Sequence, residues 1–518
     1  MDEIERRKAI EFIIEKILKG ERDLETIKRE TSRKFNNASM IKNPELLEFF
    51  PKDKLTKEIK TLLLKKPTKT LSGVTPVAVM IKPQNSCKWG CIYCPFTGLA
   101  AKSYTGFEPA ALRSRQFNYD SFLQASGRIR QFQGGGHPTD KCEVIVMGGT
   151  FLEMDENYKT EFIKGIYDAL NGEKCESLKE AVEKNQTAKN RVIGLTIETR
   201  PDVCIPYIDQ ILEFGATRVE LGVQHADDEV YKKTNRGHMV KDVVDSTKAL
   251  KDSGFKVLYH VMPGLPGTTK EKDIEFVKTL FSDSKFQPDM IKIYPTLVVG
   301  GTILSKMEKE GKYTPYSTTE AAEVISEFYR YIPKYVRVMR IQRDIPANKI
   351  EEGVKKSNLR EFVEQRIREK GIKSNEIRAR EVGLSARKIN SKEFELRRID
   401  YDASGGKEIF LSMENQDDLL AGFIRLRIPS EKSPRKEIDK DTGLIRELHI
   451  YGSEVPINEE GSVQHVGFGS KLLKEAQRIA KDEFGMKKMI IISGVGVREY
   501  YKKHGYVQIG PYMGKNLD

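Results

Sequence analysis

Asn85-Ser86-Cys87-Lys88-Trp89-Gly90-Cys91-Ile92-Tyr93-Cys94-Pro95 is the stretch on which the reading of this chain turns. Three of the chain's six cysteines fall within it, spaced C-x3-C-x2-C. Three thiolates on one short loop can each hold a different iron of a [4Fe–4S] cube, leaving the fourth iron open to a substrate or cofactor. A structural zinc site would want a fourth Cys or His close by, and none follows until His137. Cys142, Cys175 and Cys204 stand singly and read as buried small hydrophobes.

Outward from this loop, apolar β-branched runs recur at 77–81, 143–147, 192–197, 218–223, 257–262 and 290–294, separated by helical patterns. Such runs predict parallel β/α units, six of which make an incomplete barrel. In parallel barrels function sits at the C-terminal ends of the strands. Those ends carry the cysteine loop, then Gly148-Gly149-Thr150, Glu198-Thr199-Arg200-Pro201-Asp202, Gly222-Val223-Gln224-His225, His260-Val261-Met262 and Lys292-Ile293-Tyr294. Glycines at a strand end let a ligand approach the backbone closely.

The length of 518 residues allows two to four domains. With 38% hydrophobic residues a wholly disordered chain is excluded. No run approaches the roughly 18 apolar residues of a membrane span, and Met1-Asp2-Glu3 opens nothing like a signal peptide. The expectation is a cytoplasmic protein with no membrane partner. A net charge of +12 makes a polyanionic partner plausible. The excess concentrates at 52–69, at Arg113, Arg115, Arg128 and Arg130, at Lys334, Arg337, Arg340 and Arg343, and over 378–398. Tyr104 and Phe107 are candidate platforms for stacking an unpaired base.

With these motifs in place, the chain resembles the radical S-adenosylmethionine (SAM) superfamily, and within it the family of Elongator catalytic subunits. Lys82-Pro83, Ser103-Tyr104-Thr105-Gly106-Phe107-Glu108-Pro109, Met147-Gly148-Gly149-Thr150-Phe151, Glu198-Thr199-Arg200-Pro201-Asp202 and Glu220-Leu221-Gly222-Val223-Gln224 carry the resemblance. The chain departs from the family's pattern at Phe96-Thr97-Gly98, where the family usually has Gly-Gly-Pro, and at His225, where Ser is common. The resemblance implies that Cys87, Cys91 and Cys94 ligate a [4Fe–4S] cluster. It implies that Gly148, Gly149, Glu198 and Gln224 contact SAM, and that an electron donor serves the cluster.

Beyond residue 350 the pattern changes. Residues 349–400 read as a charged linker, and strand-like runs return at 409–413, 419–428, 444–451 and 487–493 with an antiparallel look. Gln464-His465-Val466-Gly467-Phe468-Gly469-Ser470 opens an amphipathic helix. Its Q-x-x-G-x-G turn offers backbone N–H groups and a helix N-terminus to an anion. This order resembles the GNAT acetyltransferase fold. The resemblance implies acetyl-CoA on Gln464, Val466, Gly467, Phe468, Gly469 and Ser470, with Tyr500, Tyr501 and His449 lining its acetyl end. Family members often carry a zinc-binding Cys-Arg-Cys run between the two domains. Here it reads Ser374-Asn375-Glu376-Ile377-Arg378-Ala379-Arg380, and no zinc is expected without thiolates.

The fold expected is thus α/β, a partial (β/α)6 barrel followed by an acetyltransferase domain. Its parts are a basic helical N-terminal segment (1–75), the barrel (76–348), the linker (349–400) and the acetyltransferase domain (401–518). The resemblance implies carboxymethylation at C5 of a wobble uridine in the tRNA anticodon loop, with Lys292 and Tyr294 positioning the acetyl group or moving a proton. The rival readings are a protein lysine acetyltransferase with a structural barrel and a scaffold that only binds tRNA. The sequence leaves open a homodimer or Elongator-like accessory subunits.

Overall fold

The computed structural model describes residues 3–35, 41–64, 73–84, 87–384, 390–451 and 467–517. Four helices come first: α1 (Glu3–Leu18), α2 (Leu24–Lys34), α3 (Asn43–Phe49) and α4 (Lys57–Leu63). Ala9, Ile10, Ile13, Ile14 and Ile17 fall on one face of α1 at helical spacing and pack with Ile27, Leu46, Ile59 and Leu63 into a core of their own. Arg6 fastens α1 to Glu45 of α3 at 2.6 Å.

Seven parallel strands then form one sheet in the order β1 (Val74–Met80), β2 (Lys141–Met147), β3 (Arg191–Thr199), β4 (Arg218–Gln224), β5 (Lys256–Val261), β6 (Met290–Ile293) and β8 (Arg337–Ile341). Between the last two, β7 (Val298–Val299) pairs antiparallel with β9 (Ile350–Glu352). Six strands were expected and are present; β8 extends the sheet by one. Alternation sorts the faces. In β2, Cys142, Val144 and Val146 are fully buried, whereas Glu143, Ile145 and Met147 look into the less filled interior. The first and last strands do not pair, so this is an open partial barrel.

The second sheet runs β10 (Glu395–Ala403), β11 (Gly406–Glu414), β12 (Leu420–Ile428), β13 (Thr442–Ile450), β14 (Lys488–Ile491), β16 (Tyr512–Asn516), β15 (Val507–Ile509). It is antiparallel except for β13 and β14, which pair in parallel only from Thr442 to Ile445. Beyond that β13 continues alone against β12, so the two strands part. The 349–400 stretch is not a linker. It contributes β9, a helix at Leu359–Glu369 packed on the barrel, and most of β10, which crosses the expected boundary at 400. Its charges hid this because their partners lie far along the chain. Arg380 reaches Glu414 at 2.8 Å and the Lys334 carbonyl, and Arg337 pairs with Glu381.

This sheet docks on the N-terminal end of the barrel through buried charge. Arg446 donates to Asp289, which precedes β6, at 2.6 and 2.8 Å. Arg427 reaches Asp252, ahead of β5, at 2.8 Å. Lys251, Arg425, Arg427 and Arg446 together face Asp252, Asp289, Glu408 and Glu447, with nearly all of these side chains fully buried. Gly494 lies so close to Ile193 that a Cβ there would overlap the strand.

Burial alone would raise the Asp289 carboxyl, but the charges of Arg446, Lys251 and Arg425 hold it well below its ordinary 3.8. Its stabilising contribution is therefore complete above that value and is lost as pH falls through the depressed native value. Removing one partner of a buried pair costs about 3–5 kcal/mol. Asp289→Asn is expected to lose stability of that size at pH 7, measured by denaturant unfolding, and the deficit should shrink in acid.

Candidate functional site

The cysteine loop follows β1 and is clasped by residues 234–238, just after a short helix (Asp228–Lys233) that follows β4. The Ile92 N–H donates to the Thr234 carbonyl at 3.1 Å, Asn235 Nδ2 to the Gly90 carbonyl at 3.0 Å, and Arg236 Nη1 to Cys91 Sγ at 3.5 Å. Gly237, at φ +77°, abuts the Trp89 ring so closely that a Cβ would overlap it. Trp89 Nε1 donates to Asp202 at 3.1 Å, and Asp202 in turn pairs with Arg200 at 2.9 Å. The Arg-Pro-Asp run after β3 thus props the loop, and Lys102 caps the Trp89 carbonyl at 2.7 Å. Sequence reasoning missed the clasp; an Asn-Arg-Gly-His turn in an otherwise polar stretch was its only signal.

Strand ends and loop enclose a cavity of about 650 Å³, a size suited to a cofactor and a substrate fragment. Cys87, Cys91, Cys94, Gly149, Glu198, Gln224, Lys292 and Tyr294 all line it. The Glu198 carboxylate accepts from the Tyr104 hydroxyl at 2.9 Å and the Gly148 N–H at 3.0 Å. Gly148, at φ +129°, is therefore spent on holding Glu198, whereas Gly149 has open space before it. Gln224 is a non-glycine residue at φ +70° where β4 slips register. Such an outlier at a strand end points to function.

Deeper in, Lys292 Nζ donates to Glu220 at 2.5 Å and His260 Nε2 lies 2.7 Å from the same oxygen. Burial would lower the Lys292 pKa, but Glu220 raises it above the ordinary value, so the side chain is an ammonium. Glu198, Glu220 and His260 present ligand atoms within 4.8 Å of one another; the Lys292 ammonium supplies positive charge beside them. Tyr294 packs edge-on to His260.

The second expected site gathers at the parting of β13 and β14. Gly467, at φ +84°, caps the Phe468–Arg478 helix. A Cβ on Gly469 would come 2.9 Å from the Tyr500 hydroxyl and 3.8 Å from Ile450, so this turn, the end of β13 and Tyr500 meet. Ser470 Oγ lies 3.5 Å from His504 Nε2, Phe468 is buried, and Tyr501 packs edge-on to Tyr500. Gln464 and Val466 lie outside the described residues. His449 sits on the opposite face of β13 from Ile450, against Phe423 and Tyr451, and burial lowers its pKa to about 4.

The expected polyanion surface divides. Lys334 pairs with Glu414 and Asp418, Arg337 with Glu381, and Arg343 with the Ser103 carbonyl, so these serve the fold. The cavity lining nevertheless holds eight Lys/Arg against four Asp/Glu. Tyr104 is committed to Glu198, and Phe107 is covered by Lys349 at 3.9 Å. Phe96, two positions after Cys94, is by contrast 43% accessible.

The residues fit the implied groups. Cys87, Cys91 and Cys94 bring three thiols from one short loop to the same cavity wall. The Tyr93 and Thr199 hydroxyls, Gln224 Oε1 and Arg200 Nη1 are buried at the cavity without hydrogen-bond partners. Orphaned polar atoms are costly unless a polar ligand meets them.

Comparison with known proteins agrees. The description "Radical SAM superfamily" matches residues 81–280, and "Radical_SAM C-terminal domain" matches 288–369. The chain is 47% identical to the tRNA uridine(34) acetyltransferase of Methanocaldococcus infernus, covering 99% of this chain and 100% of the relative. It is 42% identical to Elongator complex protein 3 of Homo sapiens, over 96% and 93% of the two chains. The solved archaeal Methanocaldococcus infernus Elp3 with N-terminus deletion (1-46) superposes with a TM-score of 0.78 at 47% identity, covering 86% of this chain and 100% of that one.

A side chain at Gly237 would be strained by about 1–3 kcal/mol from φ alone, besides its overlap with Trp89. Gly237→Ala is expected to open the clasp and speed trypsin cleavage after Lys88 about tenfold or more under native conditions. An unchanged cleavage rate would show that the clasp does not hold the loop.

Proposed function

We propose, from the premise that this chain belongs to the radical SAM family of tRNA uridine(34) acetyltransferases and Elongator complex protein 3, that it carboxymethylates C5 of the wobble uridine in tRNA with acetyl-CoA as carbon source. One observation carries the reading. The cysteine loop, Glu198, Gln224 and the Glu220–Lys292 pair, from elements far apart in sequence, converge on one cavity.

When bound, the cluster and SAM supply a carbon radical able to remove an unactivated hydrogen. Cys87, Cys91 and Cys94 would hold the cluster, and Gly149, Glu198 and Gln224 would orient SAM. Glu220 keeps Lys292 charged and fixed, so that its ammonium can hydrogen-bond the thioester oxygen of an acetyl group. Tyr294 would shape the same wall. Gly467, Phe468, Gly469 and Ser470 would grip the CoA pyrophosphate at the helix start, with Tyr500 and Tyr501 beside the thioester. His449, facing away from that turn, would act through its neighbours Phe423 and Tyr451. The cationic lining draws in the anticodon loop, and Phe96 offers a stacking face.

Anaerobic incubation with SAM, acetyl-CoA, a reductant and tRNA should give 5-carboxymethyluridine by mass spectrometry, and Cys91→Ser should abolish it. Lys292→Met should slow formation about 10²-fold or more, as expected for loss of one preorganised donor. Lysine acetylation of protein substrates that survives Cys91→Ser, with no modified nucleoside, would favour the protein acetyltransferase reading instead.

A further inference from the structure

Arg236 is a buried cation with 7% of its surface accessible, and among the described residues it has no carboxylate within ion-pair distance. Its neighbour Arg200 is neutralised by Asp202 at 2.9 Å. Arg236 instead donates to Cys91 Sγ at 3.5 Å and to the Gly222 carbonyl, and its Nε is buried without a hydrogen-bond partner. It is held rigidly, because its own carbonyl accepts Arg200 Nη2 at 2.8 Å and the flanking Thr234 and Asn235 grip the loop backbone. An isolated charge is not kept in a protein interior without a counter-charge.

We infer that the counter-charge of Arg236 is the iron–sulfur cluster itself, and that Arg236 is a positioning residue which raises the cluster's reduction potential. The inference rests on the reading of Cys87, Cys91 and Cys94 as cluster ligands. An oxidised [4Fe–4S] cube on three thiolates is a monoanion, and the one electron accepted from an external donor makes it a dianion. A fixed cation beside one thiolate therefore stabilises the reduced state more than the oxidised one. Net charge and hydrogen bonds to the sulfurs are recognised determinants of cluster potential. Burial leaves that field less screened than it would be in bulk water. The contact is made from a turn after β4, so the same residue couples the loop's placement to its electrostatics.

The test uses the full-length chain, reconstituted anaerobically, as wild type, Arg236→Lys and Arg236→Gln. Iron and sulfide content is measured first, followed by a potentiometric titration with dithionite read by electron paramagnetic resonance. The Lys variant should keep its potential near that of the wild type. The Gln variant should hold its cluster but shift the reduction equilibrium at least tenfold toward the oxidised form, about 59 mV lower for a one-electron couple. Equal potentials for Gln and wild type would overturn the inference. So would loss of the cluster from both variants, which would assign Arg236 to assembly rather than to potential. Should Arg236→Gln fail to fold, Arg200→Gln leaves Asp202 uncompensated near the loop. It should then lower the potential in the same direction, and an unchanged value would count against the field argument. A wild type that takes up no iron would sink the cluster reading beneath it, a result distinct from all of these.

Discussion

The Asp289 carboxylate is the constraint on which the arrangement of the molecule depends. It receives both terminal nitrogens of Arg446, lies 3.3 Å from Lys251, and accepts the Val257 N–H at 2.8 Å. Its backbone carbonyl accepts the Arg337 N–H at the start of β8. One residue thereby ties β5, β6 and β8 of the barrel to β13 of the second sheet. Buried ion networks add little stability over well-packed apolar side chains. What they add is discrimination, because a half-satisfied network is worse than none. Four cations and four anions that must all be met leave few ways to dock the two sheets.

That docking sets the two candidate sites apart. The barrel cavity opens at the C-terminal ends of the strands, whereas the second sheet covers their N-terminal ends. Between them the barrel interior is filled with charge rather than with the branched apolar layers of a closed barrel. Arg218 stands 2.6 Å from Glu143 at the floor and 3.7 Å from Glu220 above it, and Glu220 holds Lys292 and His260. Glu447 on β13 acts through space on both Arg218 and Lys256. The charge on Lys292 thus belongs to a chain of neighbours that begins in the other domain.

How much of this was legible follows from the range of each interaction. The cysteine spacing and the first six strands rest on local pattern, and they could be read directly. Strand β8 could not. Its Arg337-Val338-Met339-Arg340-Ile341 looks like a charged surface until Glu381 and Tyr451 are seen to take Arg337. The 349–400 stretch was misread for the same reason, since Arg380 has its carboxylate partner 34 positions away at Glu414. The clasp at 234–238 carries no recognisable motif, and its meaning lies in Trp89 and Cys91, about 145 residues earlier. Gly148-Gly149 stands out in the sequence as a pair, but only the structure divides it into one glycine that braces Glu198 and one that faces the cavity.

The charge balance shows the same limit from the other side. A net +12 suggested a polyanion, yet many of the basic residues that prompted the idea are consumed inside the fold. Lys334, Arg337, Arg380 and Arg398 all have carboxylate partners. Cations become available to a phosphate backbone only where the structure gives them no internal anion. Besides Arg236, the described cavity cations without a carboxylate partner are Lys102 and Arg343, which cap backbone carbonyls, and Arg113 and Arg128, whose pKa values burial lowers. A partly desolvated guanidinium with no carboxylate partner gains more from a phosphate than a solvated one does, because part of its hydration is already lost. The whole-chain excess is thus a poor measure of the charge left uncompensated at the cavity mouth.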